Sequence, residues 1–156
     1  MDDQYMRLAL ALAAEAAVEG EVPVGAVVVR RGEVIGRGRN RRERDKTALA
    51  HAEIEAIRQA CAVAGGWRLT DSTLYVTLEP CPMCAGAIIN ARIDRVVFGA
   101  ADPKAGSCGS VVDLFALPYN HRPAVTAGVL EEACAGQLKD FFAALRQRKE
   151  KDICTP

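Results

Sequence analysis

Three observations predict an α/β fold. Residues 26 to 39 read as a hairpin, residues 73 to 98 run strand, helix, strand, and helical periodicity flanks them at 3 to 18 and 131 to 149. A strand, helix and strand in that order call for a parallel pair joined by a right-handed crossover. At 156 residues the chain suits one domain spanning 1 to 156, large enough to bury about two-thirds of the surface its unfolded form exposes.

The elements follow from local composition. Ala and Leu dominate residues 3 to 18, and Gln4, Arg7, Glu15 and Glu19 leave a narrow polar stripe, which predicts a helix mostly covered by other elements. Glu21-Val-Pro-Val-Gly25 ends it. Residues 26 to 30 form an apolar, β-branched run typical of a buried strand, Arg31-Gly32 turns the chain, and residues 33 to 39 return as a more polar, peripheral strand. Ile54, Ile57 and Cys61 have helical spacing within 50 to 62, and Gly65-Gly66 is its stop. Residues 73 to 78 form a strand. Pro80 and Pro82 permit a helix start near Cys81 but forbid a helix interior there. That helix runs to about 91, 95 to 98 is a strand, 99 to 110 a loop, 111 to 117 one short helix, 118 to 123 an exposed connection and 124 to 129 a last strand. In the final helix, Cys134, Leu138, Phe141, Phe142 and Leu145 recur at threes and fours, so core packing is their expected role, and the last few residues are expected to fray.

Composition excludes several classes. The chain is half hydrophobic with 20 basic and 20 acidic residues, so no overall field pulls it to nucleic acid or to a membrane surface. Any attraction is local, and residues 37 to 46, with six basic against two acidic side chains, are its best place. A solvated loop with internal ion pairs is the plainer account of that segment. The opening Met-Asp-Asp-Gln-Tyr has no basic segment before an apolar run, so no secretory signal is expected, and no apolar run reaches membrane-spanning length. Of six cysteines, Cys61, Cys108, Cys134 and Cys154 read as free thiols, which fits a reducing cytoplasm.

Chemistry concentrates in two stretches, His51-Ala-Glu53 and Pro80-Cys-Pro-Met-Cys84. Cys81 and Cys84, three apart at a helix start, present two sulfurs to one zinc, and His51 is the candidate third ligand because His121 stands alone in a loop. Three protein ligands leave a tetrahedral zinc one open position, which suits a catalytic site holding water whose pKa falls towards ~7. Glu53, two residues from His51, points elsewhere on a helix and is the candidate acid/base. A lone Cys-x-x-Cys also fits a redox pair or half a zinc ribbon, but no second pair exists here. His-x-Glu followed by Pro-Cys-x-x-Cys is the established signature of zinc nucleobase deaminases.

Longer segments carry a closer likeness. Glu-Val-Pro-Val-Gly-Ala (21 to 26), Ala-His-Ala-Glu (50 to 53), Thr-Leu-Glu-Pro-Cys-Pro-Met-Cys-Ala-Gly-Ala (77 to 87) and Arg-Val-Val-Phe-Gly-Ala (95 to 100), then Asp102 and Lys104, closely resemble the bacterial tRNA-specific adenosine deaminases. The resemblance implies a cytidine-deaminase-like three-layer α/β/α sandwich with a five-stranded mixed sheet, a homodimer, one Zn²⁺ per subunit, and deamination of adenosine to inosine at wobble position 34, chiefly in the arginine tRNA with anticodon ACG. By position it assigns the metal to His51, Cys81 and Cys84, proton transfer to Glu53 and the base pocket to Asn40. Contacts to the anticodon loop fall on Asp102, Lys104, Asn120 and Phe142. Cys108, within Gly-Ser-Cys-Gly-Ser, stands where the family pattern has a small apolar residue. A deaminase of guanine or another free base or nucleoside is the rival with the same zinc chemistry, and a non-catalytic zinc-stabilised RNA-binding module is a further one. The basic segment argues against the first, and Glu53 against the second.

Overall fold

Gly25 to Val29 are buried in succession because strand β1 (Gly25–Arg30) has a helical layer on each face. The computed structural model describes residues 1–154. β1 turns through Arg31 and Gly32, both at positive φ, into β2 (Glu33–Arg39), which pairs antiparallel to it at the sheet's edge. β3 (Ser72–Leu78) pairs antiparallel with the other side of β1, and β4 (Arg95–Ala100) and β5 (Ala124–Ala127) add in parallel. The sheet is therefore five-stranded and mixed, in the order β2-β1-β3-β4-β5.

Alternation along the strands assigns the layers. Ala26, Val28, Leu74 and Val76 pack with α2 (Ala52–Ala64) and α3 (Pro82–Ala91), while Val27, Val29, Tyr75 and Val97 pack with α1 (Asp2–Val18) and with Cys134 of α4 (Glu131–Ile153). Fully burying a side chain such as Met6 or Ile88 stabilises the fold by roughly 1.5–3 kcal/mol. This is the α/β/α sandwich that the resemblance implied.

Four expectations change. α1 buries Met6, Ala9, Ala13 and Ala16 but leaves Leu8 and Val18 exposed, so one face is covered rather than most of it. In α2 the buried face is Ala52, Glu53, Ala56 and Ala60, with Ile57 and Cys61 only at its margin. Small residues win because β2 brings Gly36 and Gly38 beneath the helix: a Cβ on either would strike the carbonyl of Ala56 or Ala52. Only Leu114–Ala116 forms a 3-10 turn where a helix over 111 to 117 is expected, its start fixed by the Asp113 side chain accepting from the Phe115 amide. On α4 just one of the five apolar positions, Cys134, is fully buried; Phe142 and Leu145 are exposed because the helix outruns the sheet beneath it. α4 continues to Ile153, and of the terminal residues expected to fray, 155 and 156 lie outside the described part.

Candidate metal centre and catalytic cavity

Two helices begin at the same place. His51 is the residue before the first turn of α2, and Cys81 the residue before the first turn of α3, where Pro82 presets the helical φ and gives up no needed N–H. Neither side chain caps its own helix. Both turn instead towards each other and towards Cys84, three residues on and fully buried.

The imidazole Nδ1 of His51 lies 3.6 Å from the sulfur of Cys81 and 3.6 Å from that of Cys84. A tetrahedral metal with sulfur at ~2.3 Å and nitrogen at ~2.1 Å sets an N···S separation of about 3.6 Å. The donor set fits zinc in type and in spacing, and among the described residues His51, Cys81 and Cys84 form a cluster whose ligand atoms all lie within 4.8 Å of one another. Electrostatics agree. The Cys81 thiol is pulled down to about 4, first by the hydrogen bond from the Cys84 thiol and then by His51, against its burial. Cys84 is pushed up, first because it donates to Cys81 and then by burial, and the His51 imidazole is raised chiefly by its bond to Cys81. Two helix N-termini add positive potential that favours the Cys81 thiolate.

Glu53, 4% exposed, is the second residue of α2 and lies on the wall of the same cavity. Burial is the main reason its carboxyl is pushed up to about 7, and the nearby Cys81 adds to the rise while His51 opposes it. The cavity, of about 220 Å³, has apolar walls from Val22, Val24 and Leu78 and polar groups from Asn40, Arg42, Glu79 and Asp102. Asn40 is fixed at both ends: its Nδ2 donates to the Val22 carbonyl at 3.1 Å and its Oδ1 accepts from the Arg42 amide at 3.1 Å. One donor hydrogen and one acceptor lone pair remain for a ligand.

Asp102 folds its own loop, Oδ1 accepting from the Lys104 and Ala105 amides. Lys104 is exposed beside it, Asn120 is exposed in the 118 to 123 connection, and Phe142 is 41% exposed on α4, edge-on to Phe141. None of these three lines the cavity. His121 is held away from the cluster by a 2.6 Å hydrogen bond to the Ile93 carbonyl. Cys108 is buried, and burial followed by Glu79 pushes its thiol up to about 12, consistent with an inert side chain.

Glu79 is a residue that motif reading passes over. At 2% exposure its carboxylate accepts from the amides of Asp102, Cys108 and Ser110 and from the Ser110 hydroxyl. Burial alone would raise its carboxyl, but the Ser110 hydroxyl and the three amides outweigh that and hold it below its ordinary range. Glu79 thus ties the 102 to 110 loop to the turn that carries Cys81. A charged residue just past the end of an apolar strand, two positions before a ligand, was the available signal.

Sheet and cluster together define a nucleobase-deaminase class of protein, and the family model of the MafB19-like deaminases matches residues 1–146. A tRNA-specific adenosine deaminase of Bacillus subtilis is 50% identical over 150 residues, 96% of this chain and 93% of that protein. One from Streptococcus pyogenes is 44% identical over 147 residues, 94% of this chain and 92% of that protein. The chain belongs to the tRNA-specific adenosine deaminase family. Among solved structures, a tRNA A34 deaminase studied for A-to-I editing at the wobble position is 48% identical with a TM-score of 0.84, covering 86% of this chain and 99% of that one. A guanine deaminase from Nitrosomonas europaea is 27% identical with a TM-score of 0.77, covering 90% of this chain and 84% of that one. The chain also matches, at 51% identity, 28% of the length of a Deinococcus deserti tRNA(Ile)-lysidine synthase.

Proposed function

We propose that the chain hydrolytically deaminates adenosine to inosine at wobble position 34 of tRNA, chiefly the arginine tRNA with anticodon ACG, as one deaminase domain in a homodimer. The observation that carries the chemistry is the buried Glu53 carboxyl in the same cavity as a His/Cys/Cys cluster with 3.6 Å spacing. His51, Cys81 and Cys84 would hold one Zn²⁺. Zinc in such a site supplies Lewis acidity that makes water nucleophilic near neutral pH.

The remaining steps belong to the chain. Asn40, held by Val22 and Arg42, orients the nucleoside with its spare donor and acceptor. The apolar walls exclude bulk water around the purine. Glu53 takes a proton from the attacking water as the C6–O bond forms and passes it to N1, then takes the remaining proton from the C6 hydroxyl and delivers it to the amine as C6=O forms, the C6–N bond breaks and ammonia leaves. An anticodon loop presents its base already unpaired, so no duplex has to open. Asp102, on the cavity wall, is proposed to meet a flanking nucleotide, and Lys104, Asn120 and Phe142 are proposed as outer contacts to the loop.

Free guanine is the rival substrate. The purified protein given an ACG anticodon stem-loop, and separately guanine, adenosine and cytidine, is expected to release ammonia from the stem-loop alone. Release from guanine and none from RNA would reject the proposal. Light scattering is expected to give twice the chain mass.

A further inference from the structure

Beside the catalytic cavity, the free edge of β2 opens a second cleft of about 430 Å³, bordered by Arg37, Arg39 and Arg41 from the strand side and by Glu55, Arg58 and Gln59 of α2. Arg39 is neutralised at the C-terminal end of α1, lying 2.7 Å from Glu19, the residue after its last turn, and 3.3 Å from Glu15. Arg44 also reaches Glu19. Arg37, Arg41 and Arg58 take part in no ion pair among the described residues, and the Nε of Arg41 is buried without a hydrogen-bond partner. Three arginines without an ion pair thus line the cleft, with Glu55 the one carboxylate among its described lining residues and Glu19 acting on Arg41 from outside it.

Two elements run from the cavity into this cleft. Asn40 and Arg42 line the cavity while Arg39 and Arg41 line the cleft; on α2, His51 and Glu53 face the first and Glu55 and Arg58 the second. Glu53 and Arg58 are separated by about 7.5 Å along the helix axis. A strand that places one base beside Glu53 thus carries its neighbouring phosphates past Arg41 towards Arg37 and Arg58. Guanidinium forks match phosphate oxygens in pairs and cannot lose their charge. The Gln59 side chain already occupies the backbone amide of Arg37 at 2.6 Å, so the side chains, not the strand edge, are what the cleft offers an anion.

We propose that this cleft grips the phosphodiester backbone flanking the target base of the RNA substrate, with Arg37, Arg41 and Arg58 as the contacting residues. The proposal rests on the reading of an RNA substrate given above. It narrows the basic segment of 37 to 46: Arg39 and Arg44 drop out because Glu15 and Glu19 neutralise them, and Arg58, which the segment does not contain, comes in.

The test is the salt dependence of anticodon stem-loop binding by the full chain, between about 50 and 200 mM salt. Arg37→Ala and Arg58→Ala are each expected to weaken binding and to lower the slope of log K against log salt by about 0.7–1. Arg58→Lys keeps most of the slope, which a merely structural role would not require. Arg31→Ala, at the β1–β2 turn and paired with Asp71, is expected to match the parent protein in affinity and slope. Methylphosphonate linkages flanking the target adenosine should erase the difference between parent and Arg58→Ala. Slopes equal to the parent's in both alanine variants would overturn the cleft proposal while leaving the RNA substrate intact. A parent protein that binds no stem-loop would overturn both, and variants that lose affinity only for an acidic protein would point to a different partner and overturn it as well.

Discussion

His51 and Cys81 hold the same station on two different helices, each the residue before the first turn, and their side chains meet at 3.6 Å although thirty positions separate them in sequence. The meeting depends on β3 and β2 delivering both helix starts to one end of the sheet. Ligand spacing within Cys81-Pro-Met-Cys84 is local, but the third ligand arrives only through the fold.

Glu53→Gln keeps the size and burial of the side chain and removes its proton-carrying capacity. Turnover is expected to fall by about 10²–10⁴ while zinc content and melting temperature hold. Near-parent turnover with full metal would remove Glu53 from the reaction.

Glu79→Ala strips three amides and a hydroxyl of a common acceptor. The expected cost is at least about 2 kcal/mol in urea denaturation, with faster amide exchange confined first to residues 102 to 110. Because the folded Glu79 carboxyl lies below its ordinary 4.5, it contributes stability that is full above that value and is lost as pH falls through the lowered folded one. Glu79→Gln should therefore show a shallower acid loss than the parent; an identical acid profile would contradict this.

Gly38→Ala places a Cβ against the Ala52 carbonyl, at the start of α2 and beside His51. Overpacking there is expected to cost about 1–3 kcal/mol and to weaken zinc retention against a chelator. Gly66→Ala, which meets nothing within 4 Å, is the control and should retain zinc as the parent does.

Asn40→Asp sets an oxygen against the Val22 carbonyl in place of the Nδ2 donor. KM for the stem-loop is expected to rise about tenfold or more, with the metal site still loaded. An unchanged KM would remove Asn40 from substrate binding.

Much of this was legible. Hairpin, crossover and ligand spacing follow from neighbours in the chain, so β1, β2, β3, α3 and the His51, Cys81 and Cys84 cluster were within reach of sequence reasoning. What escaped depends on what lies opposite. The threes and fours of Phe142 and Leu145 describe an apolar stripe but do not say that anything covers it. Gly36 and Gly38, alternating with Arg37 and Arg39, read as a weak edge strand until α2 is seen lying on them. The ion pairs of residues 37 to 46 also escaped, because their carboxylates, Glu15 and Glu19, sit at the end of α1 and just past it and not in the segment itself.

Inosine mapping on an ACG anticodon stem-loop, with metal content measured on the same protein sample before and after chelation, addresses the account at its centre. One zinc per chain, a single inosine at the wobble position, and loss of both together on chelation are expected. Inosine formed at an undiminished rate by metal-stripped protein, or a fully zinc-loaded protein that leaves the adenosine untouched, would contradict it.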